Sequence, residues 1–142
     1  MRGTRRGCQA EAEMESWTDT YACRGGIANK QPFYFGYALN GSQANCHGTF
    51  PYGTVVRGAD LQRTLPVGSY EKEYPHPWGL CDMHGNVYEW CENKHNQFDG
   101  TRSVRGGSWG NESQYSRSAF RHKCSPEGRY GDQGFRVAFR YD

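Results

Sequence analysis

The stretch from Asn29 to Tyr74 sustains neither a 3.6-residue nor a two-residue apolar repeat. It is studded instead with Gly, Asn, Pro and aromatic residues, a pattern that argues against a helical bundle and for ordered loops joined by short strands. A chain of this kind must draw its buried area from large rings. Aromatics make up 15% of the residues although only 35% are hydrophobic and mean hydropathy is −0.96. Disordered chains are poor in aromatics, so the 142 residues are read as one folded, irregular domain, with 19 glycines supplying tight turns.

Periodicity returns on either side of this stretch. Ala10, Met14, Trp17 and Tyr21 recur at helical spacing, and Gly25–Gly26 follows as a stop, which predicts one amphipathic helix near residues 10–23. Phe135, Val137 and Phe139 alternate with Arg136, Ala138 and Arg140, which predicts a half-buried strand. Ser103 to Trp109 is a second strand candidate, with Val104 inward and Gly106–Gly107 allowing a bulge or a close backbone approach. Val87 to Cys91 is a third.

Formal net charge is +2 and the sequence pI is near 8.2, a field too weak to argue for nucleic acid. No apolar run reaches the roughly 18 residues of a membrane span, and no signal-peptide pattern follows Met1, so the chain is read as soluble. The six cysteines form no CxxC and are read as reduced, buried thiols. The five histidines (His47, His76, His84, His95, His122) show no HxxxH and are read as surface or loop residues. Ser108 has no nucleophile elbow around it and is read as a strand residue.

Three blocks in order carry a resemblance. They are Pro77-Trp78-Gly79-Leu80-Cys81-Asp82-Met83-His84-Gly85-Asn86-Val87-Tyr88-Glu89-Trp90, then Val104-Arg105-Gly106-Gly107-Ser108-Trp109, then Arg117-Ser118-Ala119-Phe120-Arg121 with Pro126 and Gly134-Phe135-Arg136-Val137-Ala138. Together they resemble the formylglycine-generating enzyme, or sulfatase-modifying factor, family. Residues 1–20 are read as a degenerate N-terminal segment with the start of a helix, and 21–142 as a partial domain of that type. The resemblance implies an α+β, C-type-lectin-like fold, loop-rich, with small twisted antiparallel sheets and the family's N-terminal portion missing.

Asp82 and Glu89 are hard oxygen donors flanking a Gly-Asn turn, and calcium takes six to eight oxygens, carbonyls included. The resemblance implies calcium held by Asp82, the Gly85 and Val87 carbonyls and Glu89, and a second, weaker calcium set of Asn45, the Cys46 carbonyl, Asp60 and the Leu61 carbonyl. Without calcium, Asp82 would cap a turn and Glu89 would pair with an arginine. Formylglycine formation in the family uses copper(I) on two cysteines, a soft ion on soft ligands. Here the corresponding stretch, Gly110 to Ser116, contains no thiol, so copper is not expected and no catalytic residue is assigned. Arg105, Arg117, Arg121 and Arg136 are read as internal braces for loop carbonyls and carboxylates.

Two functional classes follow. One is a non-catalytic, calcium-stabilised module that binds a protein or small molecule through Asn111, Tyr115, Phe120, His122, Lys123 and Tyr130, and a retroelement-diversified lectin-like protein is a variant of it. The other is an oxidoreductase of the formylglycine-generating type, or an accessory subunit of a metal-dependent oxidase.

Overall fold

The structure is a computed structural model and describes residues 20–137. Residues 20–23 are helical. The amide of Gly26 bonds the Tyr21 carbonyl at 3.1 Å and that of Gly25 bonds Ala22 at 2.9 Å, while Gly25 adopts φ +66°. This pair of bonds is a Schellman stop, and the left-handed residue in it is the glycine that has no Cβ to clash. The remainder of the helix expected over 10–23 lies outside the described residues.

A four-stranded sheet follows, built from β1 (Tyr88–Lys94), β2 (Arg102–Arg105), β3 (His122–Cys124) and β4 (Gln133–Gly134), in the spatial order β3-β2-β1-β4. Trp90 faces Val104 across the antiparallel β1–β2 pair, whose register shifts between Trp90 and Lys94. The β1–β2 and β2–β3 pairs are antiparallel, as expected, and the short β1–β4 pair is parallel, so this small sheet of an α+β, loop-rich fold is mixed. Val104 and Ser103 are fully buried because β2 lies between two neighbours. β2 ends where Gly106 and Gly107 turn left-handed, at φ +85° and +75°. A Cβ on Gly107 would lie 2.3 Å from the Ser116 hydroxyl oxygen, so this turn is also the close approach that admits the segment after it. The strand is therefore shorter than the 103–109 expected, and Ser108 lies past its end.

Two small cores share the load. Phe33, Leu39, Ala44 and Cys46 form one under the loops, with Phe35 and Tyr52 against it; Tyr88, Val104 and Cys124 form the other at the sheet, with Trp90. The loop region carries only isolated bridges, Phe33 with Gly36, Leu39 with Tyr52 and His47 with Glu112.

The expected strand at Phe135 and Val137 requires correction. Pairing stops at Gly134, and Phe135 and Val137 are 78% and 60% exposed. The alternation places Arg136 toward the body of the domain, where Glu89 holds it, and that turns its apolar neighbours outward. Ala138, Phe139 and Arg140 lie outside the described residues.

Candidate functional site

The recognisable block from Pro77 to Trp90 becomes a knot of loops centred on His84. Its ring lies among Phe33, Tyr34 and Phe35, with centroid distances of 5.2 to 5.4 Å. Nδ1 is 2.6 Å from the Ser116 carbonyl, which can only accept, and Nε2 accepts the Tyr34 amide at 3.1 Å. Imidazole is therefore neutral and protonated at Nδ1, and it ties three distant segments together. Burial pulls its pKa down to about 4. His76 is buried too: Nε2 donates to the Cys23 carbonyl at 3.3 Å, Nδ1 accepts the Trp78 amide at 3.1 Å, and burial lowers its pKa. Both histidines were expected at the surface or in loops; both lie in loops, and both are buried. Three consecutive aromatics at 33–35 build a cage that a neutral imidazole fills, which overrides the polar prior.

Next in the block, Asn86 behaves as a spare peptide group. Its Oδ1 accepts the Leu65 amide at 2.9 Å and its Nδ2 donates to the Leu65 carbonyl at 3.1 Å. Asn45 Nδ2 donates to the same Oδ1 at 3.1 Å and to the Arg63 carbonyl at 2.9 Å. Gly85 must be glycine here, since a Cβ would meet the Asn45 carbonyl at 2.3 Å.

The two oxygen sets expected for calcium differ in fit. Asp82 accepts the Gly68 amide at 2.9 Å, and Glu89 is gripped at both oxygens by Arg136, Nε at 2.9 Å and Nη2 at 2.5 Å. Nη2 also donates to the Cys81 carbonyl at 2.8 Å. A guanidinium thus joins the Cys81 backbone to Glu89, the arginine pairing expected without calcium, and a dication on Asp82, Gly85, Val87 and Glu89 would have to share Glu89 with it. In the second set, Asn45 is 3% exposed and its Oδ1 is buried with no hydrogen-bond partner. Asp60 lies 3.5 Å from His47 Nδ1 and accepts Gln62 Nε2 at 3.2 Å. An orphaned buried amide oxygen suits a hard cation. Among the described residues no three His, Cys, Asp or Glu side chains gather as a metal-binding set, so calcium at Asn45 would lean on amide and backbone oxygens.

Of the six surface residues proposed as a ligand face, the structure brings three together. Tyr115 packs edge-on to Phe120 at 5.1 Å, Phe120 stacks on His122 at 6.4 Å, and His122 stacks on Tyr88 at 5.6 Å. Lys123 pairs with Asp99 at 3.6 Å, Tyr130 is 49% exposed beside Gly128, and Asn111 lies 2.5 Å from the buried Ser108 hydroxyl, which also reaches Asp132 at 2.8 Å. Ser113 to Ser116 forms a 3-10 turn whose Ser113 and Ser116 are buried. None of the five described cysteines is disulfide-bonded, and they occupy separate surroundings: Cys46 meets Ser113, Cys81 meets Glu71, Cys124 meets Gln133 and Cys23 meets Ser118.

Residues 10–141 match the family described as the sulfatase-modifying factor enzyme 1-like domain. The chain belongs to that family. It is 32% identical over 149 residues to a formylglycine-generating enzyme of Streptomyces coelicolor, a match covering 90% of this chain and 45% of the relative. It is 28% identical over 131 residues to an inactive Cα-formylglycine-generating enzyme 2 of Bos taurus, covering 87% and 42%. The chain therefore spans less than half the length of these curated relatives. Among solved structures, Treponema denticola variable protein 1 superposes with a TM-score of 0.68 at 22% identity, covering 84% of this chain and 44% of that one, a likeness of fold.

Within this sulfatase-modifying-factor domain the signature arginines lie on named partners. Arg105 reaches the Ser118 and Phe120 carbonyls at 3.3 and 3.5 Å, Arg121 the Ser103 hydroxyl at 2.8 Å, and Arg117 the Gln114 carbonyl at 2.8 Å while stacking over Tyr52. Reading the sequence missed the central places of His84 and Asn86. The Phe33-Tyr34-Phe35 run was the available signal for the first. The second had none beyond Asn in a Gly-Asn turn.

Proposed function

We propose that this member of the sulfatase-modifying factor family is a non-catalytic binding domain, its loops held by guanidinium braces and by calcium at Asn45. The observation that carries the reading is the stretch 110–116, which contains no cysteine and whose Ser113 meets a single thiol, Cys46 at 3.3 Å, where copper(I) would need a pair. The Bos taurus relative, named inactive, is consistent with a family in which catalysis can be absent. Calcium would sit on Asn45 Oδ1 and Asp60 with the Cys46 and Leu61 carbonyls, and what it supplies is order. A ligand that binds only the folded chain raises stability with the logarithm of its free concentration relative to its Kd.

Two measurements test this. A Cys-x-Pro-x-Arg peptide incubated with the chain and copper(I) should give no aldehyde by mass spectrometry, and aldehyde formation would overturn the non-catalytic assignment. Thermal unfolding should shift upward with calcium, reverse with EDTA, and lose the shift in Asp60→Asn while Asp82→Asn keeps it. No shift at saturating calcium removes the metal from the reading.

A further inference from the structure

A groove of about 440 Å³ lies between the loop 49–57 and the turn 112–114, and none of Tyr115, Phe120 and His122 lines it. Its two walls are stitched together: the His47 amide bonds the Asn111 carbonyl at 2.8 Å, and the Ser113 amide bonds Phe50 at 3.2 Å. Tyr52 is fixed in the lining by the edge of Phe33 at 5.8 Å and by the Arg117 guanidinium at 5.3 Å. The groove is therefore built into the fold, and its volume lies in the range of small-ligand and peptide sites.

Its lining is chemically divided. Phe50 and Val55, 53% and 94% exposed, and Pro51 give the wall formed by the loop 49–57 its apolar groups. Arg57 also lines the groove and has no ion pair or hydrogen bond among the described residues, although guanidinium is the side chain best shaped to fork onto a carboxylate. Glu112 faces the same space with Oε2 already held by Gln114 Nε2 at 2.6 Å, which orients the carboxylate as an acceptor. A neutral saccharide would leave the Arg57 charge unanswered. A nucleic acid would meet one cation and one anion.

We infer that this groove binds a polypeptide segment in which a carboxylate neighbours an apolar side chain, the carboxylate on Arg57, the apolar group against Phe50 and Val55, and a peptide N–H donating to Glu112. The inference rests on the reading of the chain as a binding domain and names the ligand of a particular groove. The carboxylate can come from an Asp or Glu side chain or from a chain terminus, and the probes separate the two.

The whole chain is screened against two random heptapeptide libraries, one internal to a carrier protein and one ending in a free carboxyl terminus. Enrichment of Asp or Glu beside Leu, Ile, Val or Phe in the first identifies the side-chain source. Enrichment of a terminal apolar residue only in the second, abolished by amidation, identifies the terminus. Selected peptides should lose at least tenfold in affinity with Arg57→Ala and with Val55→Asp, both exposed positions whose variants should fold, and keep affinity with Lys72→Ala, an exposed position outside the groove. No enrichment overturns the proposal while leaving the calcium and aldehyde tests of the broader reading unaffected. Peptides that depend on His122 and ignore Arg57 overturn the groove and retain a binding domain. Arg57-dependent binding of a neutral glycan overturns the ligand class.

Discussion

Acidification should unfold this domain through His84. The ring uses both nitrogens as a neutral imidazole, donating to Ser116 and accepting from Tyr34, so a second proton would abolish the Tyr34 bond and bury a charge among three aromatics. Its folded pKa is about 4 against an ordinary 6.5. Between those values the unfolded chain binds the proton and the folded chain does not, so stability is full above the unfolded pKa and falls as pH drops through the folded one. A shift of this size corresponds to a total of about 3 kcal/mol, of which about 2 kcal/mol is lost between pH 7 and pH 5. Urea unfolding followed by tryptophan fluorescence at constant ionic strength reads this as a falling midpoint at unchanged slope. His76 is shifted in the same direction, so the decisive comparison is His84→Gln, which should be less stable at pH 7 yet lose about 2 kcal/mol less on acidification. An equal pH response in the variant and the parent would refute the assignment of the acid sensitivity to this ring.

Arg136→Ala should destabilise by about 1–2 kcal/mol, since it strands Glu89 and the Cys81 carbonyl at a partly exposed site; Arg136→Lys should recover only part, because an ammonium cannot fork. Thermal melts of the two variants check the order. Gly107→Ala should cost more than about 2 kcal/mol, as a left-handed φ and a clash with Ser116 act together, and its denaturation midpoint reads the loss. Asn86→Ala should cost about 2–3 kcal/mol, from buried groups left without partners, and should raise hydrogen exchange at Leu65 before it does so in β1.

What could be read from the sequence was what is encoded locally. The Gly25–Gly26 stop, the strands around Tyr88 and Val104 and the close approach at Gly107 depend on conformations that neighbouring residues dictate, and they were visible. The alternation at Phe135–Val137 showed two faces but not which one points inward, because the deciding partner, Glu89, lies 47 positions away. For the same reason the sequence left Glu89 open between a calcium ligand and an arginine's partner, and the guanidinium beside it comes from far along the chain. His84 was illegible because a lone histidine is ambiguous until the rings around it are known, and the aromatic run that surrounds it begins about fifty residues earlier.

The side-chain amide of Asn86 has a consequence for how the domain assembles. A strand pairing with a neighbour can slide by two residues and find another ladder, whereas a lone amide offers one place to dock and no second phase. The segment around Leu65 thus locks in a single alignment as soon as it touches the turn, and a long, unpatterned loop gains a unique address from one asparagine.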